Sequence, residues 1–532
     1  MKLNKLWWLI PILLLAAFLR FYKLGQVPSG FVNDEAAFGY NAYSILKTGR
    51  DEFGQFLPVI FHSFGEGKLP GYIYLTIPSV LIFGLNEFAV RLPSALFGTL
   101  TVWLIYELVK KTGKDITWAL LSALVLATLP WHIHFSRAAF EANVALFFVT
   151  LGTYLWFSKK QRLSLAAFIA AIFTYNAARL FVPLWFIFLV FKQRKIYPLV
   201  GLLLISGILF ILPQSSQRLS NISIFHPQSG VAQRLEQKYA ETRNLPLFLT
   251  RALHNKPVEY GLDFIRRYSS HFSPDFLFFS GDPIRPRYRV PDTGQLMYFE
   301  LPLLLIGLYA LAKKRLWWLG VWLLLAPMPA ALTFETPSAI RGLLMIVPLS
   351  LIVALGASWI LEKGKKLWPL LALIFIFNLG YYLDAYFIHA PVHQPYEWQG
   401  GYKQLVQTVN QLMPNYQKAE ITDSRGTAYI YFLFYNAYDP KVWQQQSQTA
   451  LTDPDKFGFT SINYLDNLYF VGEKCPAKIP QQGVLYVCTQ ENNPQLGFTQ
   501  IGKAINFDDS EPAFVLFEAS SALPATLPAP GK

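Results

Sequence analysis

The chain has 532 residues, 53% of them hydrophobic and 15% charged, with a mean hydropathy of +0.30; this is too apolar and too sparsely charged for a soluble globular chain of that size. The formal net charge of +13 would suit a nucleic-acid binder only if the basic residues shared a polar face. They fall instead in short clusters between apolar runs, which excludes that class and assigns the excess to membrane topology.

The N-terminus, Met1-Lys2-Leu3-Asn4-Lys5 before an apolar run, has the flank of a signal peptide. The run ends in Leu19-Arg20-Phe21-Tyr22 with no small-residue cleavage site, so it predicts an uncleaved first span. Apolar stretches follow at 71–86, 88–109, 116–133, 140–157, 163–178, 180–191, 196–213, 298–312, 316–334, 339–361 and 367–388. Basic clusters lie at Lys2/Lys5, Lys110/Lys111/Lys114, Lys159/Lys160/Arg162, Lys192/Arg194/Lys195, Lys313/Lys314/Arg315 and Lys363/Lys365/Lys366. The positive-inside preference puts all six on the cytoplasmic side if the short, Pro78-containing run 71–86 does not cross. The expected fold is therefore mainly α, a polytopic bundle of about 11 spans over 1–389, with the N-terminus inside. A first outer loop (23–87) and a large outer loop (214–297) face the other side, and 71–86 lies at the interface or re-enters.

The outer segments carry polar residues in unusual places. Asp34 and Glu35 stand at the start of a helical stretch ending at Thr48-Gly49. A helix N-cap is the bland reading of Asp34, and a carboxylate placed to take a proton from an acceptor hydroxyl is the functional one. Glu66 and Lys68 precede Pro70; the lysine either meets a lipid phosphate at headgroup depth or snorkels beside Glu66. Arg137 and Glu141, four apart, predict a structural ion pair on one helical face. Tyr175-Asn176 with Arg179, and Glu335 with Arg341, mark two further outer turns. Arginines at the outer boundary run against the positive-inside preference, which argues that Arg137, Arg179 and Arg341 neutralise something anionic such as a phosphate-bearing lipid. The usual metal-ligand spacings are missing around His62, His132 and His134, and no Walker, Cys-x-x-Cys or dinucleotide motif occurs.

After about 388 the pattern changes. Residues 420–423, 464–471, 483–489 and 513–518 read as strands and 400–412 as a helix, predicting a small extracytoplasmic α/β domain over 390–521. The Pro/Ala-rich tail 522–532 reads as disordered. Cys475 and Cys488, the two cysteines of the chain, either pair in an oxidising compartment or stay as buried thiols.

The segments Gly30–Gly49, Gly65-Glu66-Gly67-Lys68-Leu69-Pro70 and Asn86-Glu87-Phe88-Ala89-Val90-Arg91-Leu92-Pro93-Ser94-Ala95 resemble the opening region of the protein mannosyltransferases and the bacterial aminoarabinose transferases. These are GT-C enzymes of glycosyltransferase family thirty-nine. The resemblance covers about 6–180, thins toward 388, and is only architectural beyond. It implies an inverting transfer from a polyprenyl-phosphate sugar, hexosyl or pentosyl, to an acceptor protein, lipid or glycan outside the plasma membrane. It further implies Asp34 as base, Glu35 as its neighbour, and Lys68 with Glu66 at the lipid phosphate or at a divalent metal, which stays open; no other cofactor is implied. Ala37 stands where the aminoarabinose enzymes carry arginine, and Lys68-Leu69-Pro70 replaces Lys-Pro-Pro. The His that follows the acidic pair in eukaryotic mannosyltransferases, and their β-trefoil insert, are missing, so no particular sugar carries over. Two other classes compete: a transporter or flippase of lipid-linked glycans, which would show paired repeats and matching broken spans, and an inert scaffold, which would not need Asp34, Lys68 or Arg341.

Overall fold

The computed structural model describes residues 7–520 except 192–200, 204–206, 208–221, 243–245, 394–395, 424–425, 454–459, 473–474, 476–479, 490–496, 503–504 and 507–511. The chain groups into two compact units: one of Met1–Val27, Gly67–Leu75 and Arg91–His393, the other of Pro28–Glu66, Thr76–Val90 and Gln394–Lys532.

The first unit is helical. Among the described residues three helices, Glu87–Gly113, Leu343–Lys363 and Trp368–His393, are long and apolar enough to cross a membrane. A fourth is added if the bent pair Ile116–Thr128 and Pro130–Ser136 counts as one span. Other expected crossings fall on apolar helices of 10–17 residues such as Leu9–Phe21, Glu141–Phe157, Gln161–Thr174 and Asn176–Phe191. Most of the expected span 196–213, and the cluster Lys192/Arg194/Lys195, lie outside the described residues. The count of eleven therefore rests on the charge pattern and not on helix length.

Two packing devices organise this unit. At Leu129-Pro130 the chain bends by 58°, because Pro130 has no amide to donate to the preceding turn. The carbonyls exposed there are taken by the buried Arg20 guanidinium, which donates to Ala127 O at 3.0 Å and Leu126 O at 3.1 Å and meets His132 Nδ1 at 2.7 Å. Helices Glu300–Lys314 and Ile346–Lys363 make the second device: a Cβ on Gly307 would overlap Ile352 O, and one on Gly356 would overlap Leu303 O. The two backbones touch where neither side chain intervenes, the small-residue contact used by helices in lipid.

The Phe88–Ala95 string acts through packing as well. Ser94 Oγ donates to Phe135 O at 3.0 Å, and Asn143 Nδ2 donates to Ser94 O at 2.9 Å. The Arg91 guanidinium, fully buried, donates to Leu24 O at 3.2 Å.

In the second unit the described strands include β1 (Phe61–Ser63), β2 (Glu66–Lys68, which continues into the first unit), β3 (Lys418–Thr422), β4 (Tyr464–Leu465), β5 (Leu468–Val471), β6 (Val484–Thr489), β7 (Phe498–Gln500), β8 (Ile505–Asn506) and β9 (Pro512–Ala519). The sheet runs β4-β5-β3-β6-β9-β7, with β8 also on β9. Its centre is parallel, β3 pairing with β5 through Ile421↔Phe470 and with β6 through Ile421↔Val487; its β9 side is antiparallel. The run 464–471 is two strands, turned at Asp466, whose φ is 50°. Cys475 and Cys488 form a disulfide, with Cα atoms 4.9 Å apart, that pins the loop before β6 to its end. The tail 522–532 lies outside the described residues.

The first-loop helix Asn33–Thr48 belongs to this same unit, with the C-terminal strands and helices. Gly39 sits against the Phe434 ring and Val90, where a Cβ would collide with both, and Phe31 packs on Phe434 at 4.8 Å between ring centroids. Gly49 ends the helix in the left-handed region, at φ 70°.

Candidate functional site

Asp34 is the second residue of helix Asn33–Thr48, not its N-cap; the cap position is Val32. Valine has no side-chain acceptor, so Glu35 reaches back instead, its Oε2 accepting from Val32 N at 3.2 Å. The neighbouring amide, Asn33 N, donates to Gln399 Oε1 at 2.6 Å, and the Tyr431 hydroxyl donates to the same oxygen at 2.7 Å. The turn carrying Asp34 is thus held by a residue of its own helix and by one from the C-terminal segment. Glu35 is buried and Asp34 half-buried. Negative charge at a helix's first turn is favoured by the aligned backbone dipoles. Gln399 gave no signal in the sequence: a glutamine in a polar stretch reads as solvated.

A second buried cluster braces the same helix from its middle. Asn41 Nδ2 donates to Glu52 Oε1 at 3.0 Å, and Glu52 N donates to Asn41 Oδ1 at 3.0 Å. Ser63 Oγ donates to Glu52 Oε1, and the Tyr429 hydroxyl to Glu52 Oε2 at 3.3 Å. Burial pushes the Glu52 carboxyl up to about 7 against these donors, with Asp51 adding in the same direction. The Tyr429 hydroxyl is raised well above its ordinary range, by burial first and by Glu52 second. Nothing in the local sequence sets the pair Asp51-Glu52 apart from other loop carboxylates. Glu66 follows a tight turn in which Phe64 and Gly65 both have positive φ, 58° and 76°.

The remaining site residues belong to the helical unit. Lys68 is buried, and three residues on Gly71 lies against Thr174, where a Cβ would overlap Thr174 Oγ1. The Lys68 segment therefore enters helix Pro70–Phe83 beside the break between Gln161–Thr174 and Asn176–Phe191, where Tyr175 and Asn176 stand and the buried Arg179 follows.

One expectation is corrected here. Arg137 and Glu141 do not share a helical face, because one helix ends at Ser136 and the next begins at Glu141. The Arg137 guanidinium donates to Leu19 O at 2.8 Å, Tyr22 O at 2.6 Å and Val27 O at 3.1 Å, and lies over the Phe387 ring at 4.8 Å. It staples the chain leaving the first helix, which is the work of a structural residue. Arg341 pairs with Glu335, at 2.9 Å, with Thr333 Oγ1 and Glu335 O each accepting at 3.1 Å. Arg285 reaches the other Glu335 oxygen at 2.6 Å. Burial works against ionisation of Glu335, but the Arg341 and Arg285 guanidinia override it and hold the carboxyl below its ordinary range. Among the described residues no group of three or more His, Cys, Asp or Glu side chains is placed to hold a metal ion.

Residues 10–191, which contain Asp34, Glu66, Lys68, Arg137, Glu141, Tyr175, Asn176 and Arg179, match the family described as dolichyl-phosphate-mannose-protein mannosyltransferase. The chain is 30% identical over 169 residues to the putative mannosyltransferase YkcB of Bacillus subtilis, covering 31% of this chain and 22% of that one. It is 31% identical over 159 residues to the undecaprenyl phosphate-alpha-4-amino-4-deoxy-L-arabinose arabinosyl transferase 1 of Pseudomonas fluorescens, covering 28% of this chain and 27% of that one. The matches span 20% to 40% of the length of the curated relatives. Among solved structures it aligns with ArnT from Cupriavidus metallidurans bound to undecaprenyl phosphate, at 12% identity and a TM-score of 0.49, over 98% of this chain and 99% of that one. Over residues 10–191, about a third of its length, the chain is similar to the protein mannosyltransferase family and to these relatives.

Proposed function

We propose that the protein is an integral-membrane glycosyltransferase that moves a hexosyl or pentosyl group from a polyprenyl-phosphate donor to an acceptor hydroxyl on the extracytoplasmic face, with inversion. Asp34 takes the proton of the acceptor hydroxyl as its oxygen attacks the anomeric carbon. The bond from that carbon to the phosphate oxygen breaks, and the lipid phosphate leaves with the electron pair. Lys68 and Arg179 offset the charge gathering on the departing phosphate, and Glu66 belongs to the lipid-phosphate or metal site. Glu35 fixes the turn on which Asp34 stands.

The observation that carries this reading is the construction of that turn. Glu35 and Gln399 both close its backbone, which fixes Asp34 at the second position of its helix. Asp34 and Lys68 also fall within the family match, and the Pseudomonas fluorescens relative is named for an undecaprenyl-phosphate-linked sugar. Six basic clusters support eleven spans with the N-terminus inside. The Cys475–Cys488 bridge supports an extracytoplasmic C-terminal segment, since such bonds persist in oxidising compartments.

The test is transfer from a polyprenyl-phosphate sugar by the purified full-length chain. Asp34→Asn should abolish product while leaving the unfolding temperature and donor binding as in the parent; an unchanged rate removes Asp34 from the chemistry. Lys68→Ala should weaken donor binding, and a loss confined to acceptor binding would remove Lys68 from the phosphate.

A further inference from the structure

Helix Lys256–Ser270 in the large outer loop is amphipathic, and its polarity is inverted. Its buried positions are acidic: Glu259 is 4% exposed and Asp263 3%. Both are paired on the inner side, Glu259 with Lys238 at 2.6 Å and Asp263 with Arg234 and with Arg267, the latter at 2.5 Å. The outward positions are apolar, Val258, Leu262 and Ile265 being 37%, 50% and 61% exposed. They fall four and three residues apart, one stripe of a helix. A helix surrounded by water turns such a stripe inward and keeps its carboxylates out; here the ion pairs face the protein and the hydrocarbon faces away.

The stripe does not stand alone. Just before it, Phe248 and Leu253 are 70% and 58% exposed. Near its end the Tyr268 hydroxyl donates to Leu324 O at 2.7 Å. Leu324 lies in the apolar helical segment Trp317–Ala331 and is itself 57% exposed, so the outward face continues onto the flank of that apolar segment. Arg251, Lys256 and Arg266 are exposed around the stripe, where their cations suit lipid phosphates.

We propose that helix Lys256–Ser270 lies flat at the bilayer surface, with Val258, Leu262 and Ile265 in lipid and the ion-paired side against the protein. The occupant of this face is phospholipid. An aqueous loop of the same length would leave the stripe in water; an interfacial helix buries it between headgroup and acyl chain and fixes the depth of the loop. The leaflet follows from the topology proposed above, but the contact with lipid does not depend on transfer activity.

The test uses the full chain in nanodiscs of phosphatidylcholine with a minority of phosphatidylglycerol. The two native cysteines are bridged, so Ile265→Cys offers a single thiol for a nitroxide label, with Leu262→Cys as a second position on the same face. Glu236→Cys, exposed on helix Val231–Glu241, is the aqueous reference. Collisions with oxygen should exceed those with a water-soluble nickel chelate at 265 and 262, and the order should reverse at 236. A nickel preference at 265 and 262 like that at 236 overturns the proposal. So does protection from both agents with dipolar broadening that grows with the number of chains per disc, which would mean a second copy covers the face. Either failure leaves the Asp34→Asn experiment unaffected.

Discussion

The amide of Asn33 donates to Gln399 Oε1 at 2.6 Å, across a sequence separation of 366 residues. The oxygen also receives the Tyr431 hydroxyl, so one buried acceptor couples the first turn of the Asp34 helix to the aromatic layer under the C-terminal sheet. A positioning residue of this kind acts on rate through geometry. Removing it leaves two donors unsatisfied, at roughly 1–3 kcal/mol. Gln399→Ala should lower the turnover of sugar transfer about tenfold with little change in donor KM. It should also speed amide exchange over the first turn of 33–48. Gln399→Glu keeps an acceptor oxygen and should restore most of the rate; equal losses in both variants would mean that the hydrogen bond is not what matters.

Glu52 makes stability depend on pH. Its carboxyl is held up to about 7 by burial, above the roughly 4.3 of a free glutamic acid. The folded chain therefore binds the proton more tightly than the unfolded one. The resulting stabilisation is complete below the unfolded value and is lost as pH rises through the folded value, a fall on the order of 3 kcal/mol. Asp51, raised chiefly by its own burial, contributes with the same sign. In Glu52→Gln, which can keep an acceptor for Asn41 and Ser63, the decline in unfolding temperature between pH 5 and pH 8 should flatten. An undiminished slope would place the titration elsewhere.

Arg137 and Lys68 should separate cleanly. Arg137→Ala deletes donors to three carbonyls and should destabilise the chain by about 3 kcal/mol, read as a lower unfolding temperature in detergent with or without donor lipid. Lys68→Ala should instead shift donor binding. A loss of donor affinity without loss of stability in Arg137→Ala would reinstate it as a phosphate ligand.

The contact at Gly307 and Gly356 admits no side chain. Gly356→Leu must separate helices Glu300–Lys314 and Ile346–Lys363 and should cost more than the roughly 1–3 kcal/mol of ordinary overpacking. Gly320→Leu, at a position with far more room, is the control. Equal melting of the two variants would show that the close approach is dispensable.

Much of the architecture was written in periodicity and punctuation. Thr48-Gly49 stops its helix because Gly49 takes a positive φ, and hydropathy located the apolar helices. The failures share a cause. Asn33 and Asp34 are statistically better caps than Val32, and only the reach of Glu35 toward the Val32 amide moves the boundary. Arg137 and Glu141 have helical spacing in sequence, but the helix ends at Ser136, so spacing alone carried no contact. Gln399 and Glu52 matter through partners far along the chain, and a local pattern carries no trace of them.

The Arg20 contacts impose an order on biogenesis. The guanidinium leaves the ribosome more than a hundred residues ahead of the carbonyls of Leu126 and Ala127 that receive it. In that interval the cation has the Ala16 carbonyl of its own helix, headgroups and water to serve it, and charge within hydrocarbon is costly. The opening helix therefore reaches its final seat only after the kinked hairpin around Pro130 has been threaded, and the translocation machinery must shelter or tolerate a provisional position until then.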